Sequence, residues 1–135
     1  EACSSLTSIT IPDSVTEIGD NAFYGCTGLT TAPELPATTL ANYCYQYMFY
    51  YCTGLTIAPE LPATTLVNDC YSSMFQGCTS LATAPTLPAT TVPAGAYDSM
   101  FKNCKSLYWT PVTYNIIQQI YFTEESKNGK KIKCK

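Results

Sequence analysis

Cysteine is the residue type with the most chemistry to offer here. Eight cysteines occur in 135 residues, beside eleven tyrosines and no histidine. A nucleophilic thiolate needs an activating base, and imidazole, the usual one, is absent. A structural zinc site needs closely spaced thiols or a Cys/His set, and no Cys-x-x-Cys occurs. The cysteines recur instead at long, even intervals: Cys3, Cys26, Cys52, Cys78 and Cys104. Cys44 and Cys70 share a second register, in which Ile18 and Ala96 also stand. Isoleucine and alanine at equivalent points mark that position as small and buried. The thiols are therefore expected to act as small hydrophobes, with no metal and no cofactor. Bridging between neighbouring turns is the alternative, although a ladder of five cannot pair fully. Cys134 lies outside both registers and reads as free or intermolecular. Free thiols in an exported protein would suit a reducing habitat.

The even spacing is one aspect of a repeat. From Cys26 to Cys52, Cys52 to Cys78 and Cys78 to Cys104 the period is 26 residues, and a shorter unit of 23 runs from Cys3 to Cys26. Other columns follow it: Leu6, Leu29, Leu55, Leu81 and Leu107; Phe23, Phe49, Phe75 and Phe101; Met48, Met74 and Met100; Pro36, Pro62 and Pro88. A fixed period in this range signals a solenoid, whose equivalent positions stack into ladders of like side chains. No single turn can bury its own apolar face.

Within one unit, Leu55-Thr-Ile-Ala is short and β-prone and reads as a short parallel strand. Pro59-Glu-Leu-Pro62 forbids helix and interior strand and reads as an extended corner. Thr64 or Thr65 can cap a helix, and Leu66, Cys70, Met74, Phe75 and Cys78 then fall at i, i+4, i+8, i+9 and i+12, one helical face. Gly54, like Gly28 before it, suits the left-handed position just past a helix. In the first unit Ile9, Ile11, Val15 and Ile18 are expected to fill the core, with a brief helical turn beginning at Asp20 or Asn21. In the last unit Pro93 is tolerable in a first helical turn, and Gly95 weakens the helix that follows. The expected class is α/β, with short parallel strands on one side and short helices on the other. The array occupies residues 1–107. Residues 108–123 read as a segment that closes the core, with Ile116, Ile117, Ile120 and Tyr121 at helical spacing. Residues 124–135 read as a polar, lysine-rich, fraying tail.

Charge narrows the partners. There is no arginine, and residues 1–126 carry ten carboxylates against two lysines, a net of −8. Such a body is poorly suited to nucleic acid, because phosphate contacts need basic side chains. No run approaches the roughly 18 apolar residues of a membrane span, so no membrane insertion is expected. The chain opens in mid-repeat, which reads as a piece of a longer array. An open first turn also allows end-to-end self-association. Leu35-Pro-Ala-Thr-Thr39 and its copy at 61–65 approach a sortase signal but lack its glycine and sit inside the repeat. Pro33-x-x-Pro36 matches a polyproline ligand pattern, yet its recurrence marks it as a structural corner.

The tyrosines break the repeat most informatively. Tyr45, Tyr71 and Tyr97 form a column of their own and read as structural. Tyr43, Tyr47, Tyr50 and Tyr51 correspond to Asp69, Ser73, Gln76 and Gly77 one unit later, which are solvent-type residues. These four, with Tyr24 nearby, therefore read as exposed aromatics of one repeat, and clusters of that kind tend to mark contact surfaces. The plainer reading is that they pack on a neighbouring domain or on their own corner. On the strand side Glu34 and Glu60 stand in register and Thr86 follows, with no sharp ligand signature.

The unit Cys3-Ser-Ser-Leu-Thr-Ser-Ile-Thr-Ile-Pro-Asp-Ser-Val-Thr-Glu-Ile-Gly-Asp-Asn-Ala-Phe-Tyr-Gly-Cys26 resembles the 23-residue leucine-rich repeat of BspA-like (Treponema pallidum type) bacterial surface proteins. The 26-residue units resemble a longer variant with Met-Phe before the last cysteine. The resemblance covers residues 1–107. It implies a right-handed leucine-rich-repeat solenoid, export to the extracellular surface of a bacterium, and adhesion to or binding of a host or bacterial extracellular protein. It supplies no catalytic or binding residues to carry over. Two other readings stand beside a protein-binding module: a spacer without a ligand of its own, which near-identical copies favour, and a glycan-binding module using the exposed tyrosines. No carboxylate pair, metal cluster, nucleophile with a base or phosphate loop suggests an enzyme.

Overall fold

The computed structural model describes residues 2–108. Four successive repeats, closed by Cys26, Cys52, Cys78 and Cys104, stack along one axis. Their ladders form one core. Phe23, Phe49, Phe75 and Phe101 lie ring on ring, with centroids 5.5, 5.6 and 5.7 Å apart and nearly parallel planes. Tyr45, Tyr71 and Tyr97 stack likewise at 5.8 and 5.9 Å. Leu29, Leu55 and Leu81 are fully buried in the same core, as are Met48, Met74 and Met100.

The proline corner is extended. Pro59, Leu61 and Ala63 are buried while Glu60 and Pro62 are exposed, and the same alternation holds at 85–89. The expected strands contract to single parallel bridges, Thr31 to Ile57, Ile57 to Thr83 and Thr83 to Tyr108. Side chains supplement this thin ladder: the Thr56 hydroxyl donates to the Thr30 carbonyl at 3.1 Å.

The expected helices are absent among the described residues, and consecutive turns take their place. Between residues 43 and 52 the backbone N–H groups divide into two sets. Those of Cys44, Gln46, Met48, Tyr50 and Cys52 donate three residues back within the repeat. Those of Tyr43, Tyr45, Tyr47, Phe49 and Tyr51 donate to Asn68, Cys70, Ser72, Met74 and Gln76 of the next repeat. Every donor is satisfied, as burial demands, but alternately along and across the solenoid. The reason is spacing. Rings stacked at 5.5–5.7 Å leave no room for one α-helix per repeat, whose diameter with side chains is about 10 Å.

This turn ribbon repeats every four residues, with a left-handed residue at each step: Tyr43, Tyr47 and Tyr51; then Asp69, Ser73 and Gly77; then Gly95, Ser99 and Asn103. Asn21 and Gly25 hold equivalent places in the first repeat. The i, i+4, i+8, i+12 pattern therefore belongs to a period of four, not 3.6. Gly95 does not weaken a helix; its φ is +67° and a Cβ there would meet the Asp69 carboxylate. Gly28 and Gly54 are not left-handed caps either, since neither has positive φ. They let neighbouring turns approach: a Cβ on Gly54 would strike the carbonyl oxygen of Thr27, and one on Gly28 that of Ser4.

The first repeat departs from expectation. Ile11 and Ile18 are half-buried, but Ile9 and Val15 are exposed, because only one face of this repeat is covered by another among the described residues. Apart from Tyr108, the segment read as closing the core and the lysine-rich tail lie outside the described residues.

Cys26, Cys52 and Cys78 are buried thiols without a disulfide. Cys52, Cys78 and Cys104 each donate to a phenylalanine carbonyl of the preceding repeat, at 2.9, 3.1 and 3.1 Å. The thiol ladder thus ties turns together by weak hydrogen bonds as well as by packing. Cys44 is half-buried and Cys70 fully buried, and they too carry no disulfide. The Tyr71 hydroxyl is buried with no hydrogen-bond partner, so that residue contributes through its ring.

Three outcomes follow. Phe49→Ala or Phe75→Ala should lower the unfolding free energy by about 3–5 kcal/mol in a urea titration, since each leaves a ring-sized cavity. Ser73→Gly should be more stable than Ser73→Ala by about 1 kcal/mol, because alanine is disfavoured at positive φ; a helix at this place would reverse the order. Burial pushes the Cys52 thiol from 9.0 up to about 12, and raises Cys78 and Tyr71 as well. The unfolded chain releases these protons first, so the folded state holds more of them as pH rises. Their contribution should be constant below about pH 9 and decline from there to about 12, read as a falling urea midpoint.

Candidate functional site

The tyrosines that break the repeat all lie on or beside the turn ribbon of residues 41–52. Three of them, Tyr43, Tyr47 and Tyr51, occupy its left-handed positions, with φ of 65°, 56° and 58°. A bulky L-residue pays roughly 1–2 kcal/mol for that conformation. The other described repeats place Asn21, Gly25, Asp69, Ser73, Gly77, Gly95, Ser99 and Asn103 there, all glycine or short polar residues and mostly the Gly, Asn and Asp that tolerate it. Local backbone preference alone would not put tyrosine at these steps.

Four of the rings form one cluster. Tyr24 stacks on Tyr50, one repeat away, at 5.3 Å and 10°. Tyr47 and Tyr51 each meet Tyr50 edge-on, at 5.4 and 4.7 Å. Tyr50 is therefore the hub, and it is half-buried by its neighbours. Burial first, and then the surrounding phenols of Tyr51, Tyr24 and Tyr47, hold its hydroxyl above the ordinary value of 10.0. Tyr24 and Tyr51 expose 46% and 44% of their surface, enough for a ligand to reach both flanks of the hub. Tyr43 is exposed but stands outside these ring contacts.

The third repeat supports the cluster with two residues that the spacing alone did not single out as partners. Gln76 follows Tyr24 and Tyr50 in their column, and its amide donates to the Tyr50 hydroxyl at 3.3 Å. Gly77 faces Tyr51, and a Cβ added to it would come within 2.8 Å of that ring. The absence of a side chain is what lets Tyr51 lie on the ribbon. Ser73 and Gly77 are consequently not solvent-type positions: both are buried. The signal for these partners was column membership, which places Gln76 and Gly77 directly after Tyr50 and Tyr51.

The cluster offers aromatic surface, phenolic hydroxyls and one amide, with no ionised group among its side chains. The described residues contain no group of three or more His, Cys, Asp or Glu side chains able to hold a metal ion. No helix among them is long and apolar enough to cross a membrane.

Comparison with known proteins agrees with the repeat. A BspA type leucine rich repeat region, in six copies, matches residues 1–128. The match runs beyond residue 107 into the segment read as closing the core and the tail. Among solved structures, the chain is similar to a leucine rich cell surface protein from Faecalibacterium prausnitzii A2-165. The two share 37% identity with a TM-score of 0.52, over 76% of this chain and 26% of that one. No curated protein matches. Stacked leucine, phenylalanine and cysteine ladders at a 23- to 26-residue period, together with a match over nearly the whole length, show that the chain belongs to the BspA type leucine-rich repeat family.

Proposed function

We propose that this chain is a non-catalytic adhesion module, part of a bacterial cell-surface leucine-rich-repeat protein, that binds an extracellular macromolecule of a host or of another bacterium through its tyrosine cluster. The observation that carries the reading is the placement of Tyr43, Tyr47 and Tyr51 at left-handed steps, where the other described repeats have Asn, Asp, Ser or Gly. Residues held against local preference concentrate at functional sites, because something other than folding has kept them there. Partly exposed tyrosines are also the side chains that most often anchor interfaces. The surface location rests on the family and on the similar Faecalibacterium protein, which is itself described as a cell surface protein.

A spacer without a ligand is the second reading. Its support is the regularity of the third and fourth repeats, whose left-handed steps and ladders follow one plan. The second repeat is the one that deviates.

Binding of the chain to immobilised extracellular-matrix proteins separates the two. Saturable binding is expected, and it should be lost when Tyr43, Tyr47, Tyr50 and Tyr51 are all changed to Ser. Binding retained by that variant would move the contact face to the strand side, and no binding by either would leave the spacer reading.

A further inference from the structure

We infer that the group recognised by the tyrosine cluster is a neutral saccharide, the glycan portion of the partner rather than its polypeptide. The inference rests on the reading of this cluster as the contact face. Three features of the cluster carry it.

The first is its chemistry. The C–H faces of a hexose are apolar and weakly positive, and they pack on the negative face of an aromatic ring. The equatorial hydroxyls around them need donors and acceptors at the ring's edge. Tyr24, Tyr47, Tyr50 and Tyr51 supply rings and phenolic hydroxyls, and the Gln76 amide, already 3.3 Å from the Tyr50 hydroxyl, supplies both a donor and an acceptor. Nearby ribbon positions add further amides: Gln46 beside Tyr47, and Asn21 preceding Tyr47 in its column.

The second is charge. The hot spots of protein interfaces commonly pair aromatics with arginine, and the chain has none. Residues 1–126 carry ten carboxylates and two lysines, so a sialylated or sulfated glycan would approach an acidic body. A neutral sugar pays no such penalty and needs no ion pair.

The third is that the site is built in advance. Tyr50 is fixed by ring contacts on three sides, and Gly77 leaves space for Tyr51 to lie against the ribbon. Two-torsion aromatic side chains held this way lose little freedom when a ligand arrives. That matters for sugars, whose individual contacts are weak.

The test uses an array of neutral oligosaccharides (β-glucans, mannans, galactans and asialo N-glycans), with sialylated and sulfated glycans beside them. A matrix glycoprotein is added in native and enzymatically deglycosylated forms. The chain should bind one or more neutral structures, prefer them to the anionic ones, and bind the glycoprotein only while it is glycosylated. A triple variant, Tyr43→Asp, Tyr47→Ser and Tyr51→Gly, installs the residues of the third repeat. It relieves the left-handed backbone at positions 43 and 51 while giving up the ring contacts of Tyr47 and Tyr51 with Tyr50, so it should still fold cooperatively, checked by its thermal melt, yet lose about tenfold or more in affinity. A second variant, Tyr47→Phe with Tyr51→Phe, keeps the rings and the Tyr50–Gln76 pair but loses two hydroxyls, so it should bind more weakly than the parent and more tightly than the triple variant. Equal binding to the deglycosylated protein would overturn the saccharide inference while leaving the adhesion reading in place. Preference for anionic glycans, or full binding by the triple variant, would also overturn it. Silence on the array and on both forms of the glycoprotein would remove the inference together with the adhesion reading.

Discussion

Everything in this molecule depends on the distance between neighbouring repeats. Phenylalanine rings stacked at about 5.6 Å set that distance on the turn side, and the backbone must then satisfy its hydrogen bonds within it. The solution is a ribbon in which alternate N–H groups reach across to the next repeat. Each repeat thus completes the hydrogen bonding of its neighbour as well as covering its apolar face. Stability is shared in the nearest-neighbour manner of repeat proteins. The same spacing explains the glycines at 28 and 54, where a side chain would collide with the carbonyl of the preceding turn.

A backbone of this kind demands a left-handed residue every fourth position. Among the described residues, the first, third and fourth repeats meet the demand with glycine or short polar residues, and the second meets it with tyrosine. Had folding been the only pressure, a glycine or asparagine would serve better at each of these places. The compensation lies partly in packing: Tyr47 and Tyr51 recover contact energy against Tyr50, and the third repeat accommodates them through Gln76 and Gly77. The cluster is therefore integrated with the solenoid rather than appended to it. That is why its rings have defined positions although they stand at the surface.

The thiols have a separate role. Cys26, Cys52, Cys70, Cys78 and Cys104 are buried parts of the core, and Cys52, Cys78 and Cys104 still donate weakly to carbonyl groups, whereas Cys3, at the open first turn, is exposed against expectation. Burial raises the affinity of Cys44, Cys52, Cys70 and Cys78 for the proton, which suppresses the thiolate that reactive cysteines need. The residue type that first suggests chemistry in this chain thus serves packing, and the residues that face a ligand are phenols.

The sequence by itself determined the repeat, its registers and its buried columns. Side chains that stack on their own copies must recur at the repeat length, and Leu29, Phe49, Cys52 and Met74 do so. It also singled out the tyrosines, because Tyr43, Tyr47 and Tyr51 break columns that are otherwise charged, small or polar, and Tyr50 shares its column with Tyr24 before Gln76 and Lys102 follow. It did not determine the conformation of the turn side. Residues at i, i+4, i+8 and i+12 suit a helix and a four-residue ribbon alike, and only the spacing between repeats, a tertiary quantity, excludes the helix. Tertiary structure likewise decided which tyrosines come together. Tyr24 and Tyr50 are far apart in the chain and become partners through stacking, whereas Tyr43 stays apart from the ring contacts despite its place in the same segment. Gly77 shows the same division: its identity is plain in the sequence, but its purpose, to leave room for a ring from the preceding repeat, exists only once the repeats are stacked.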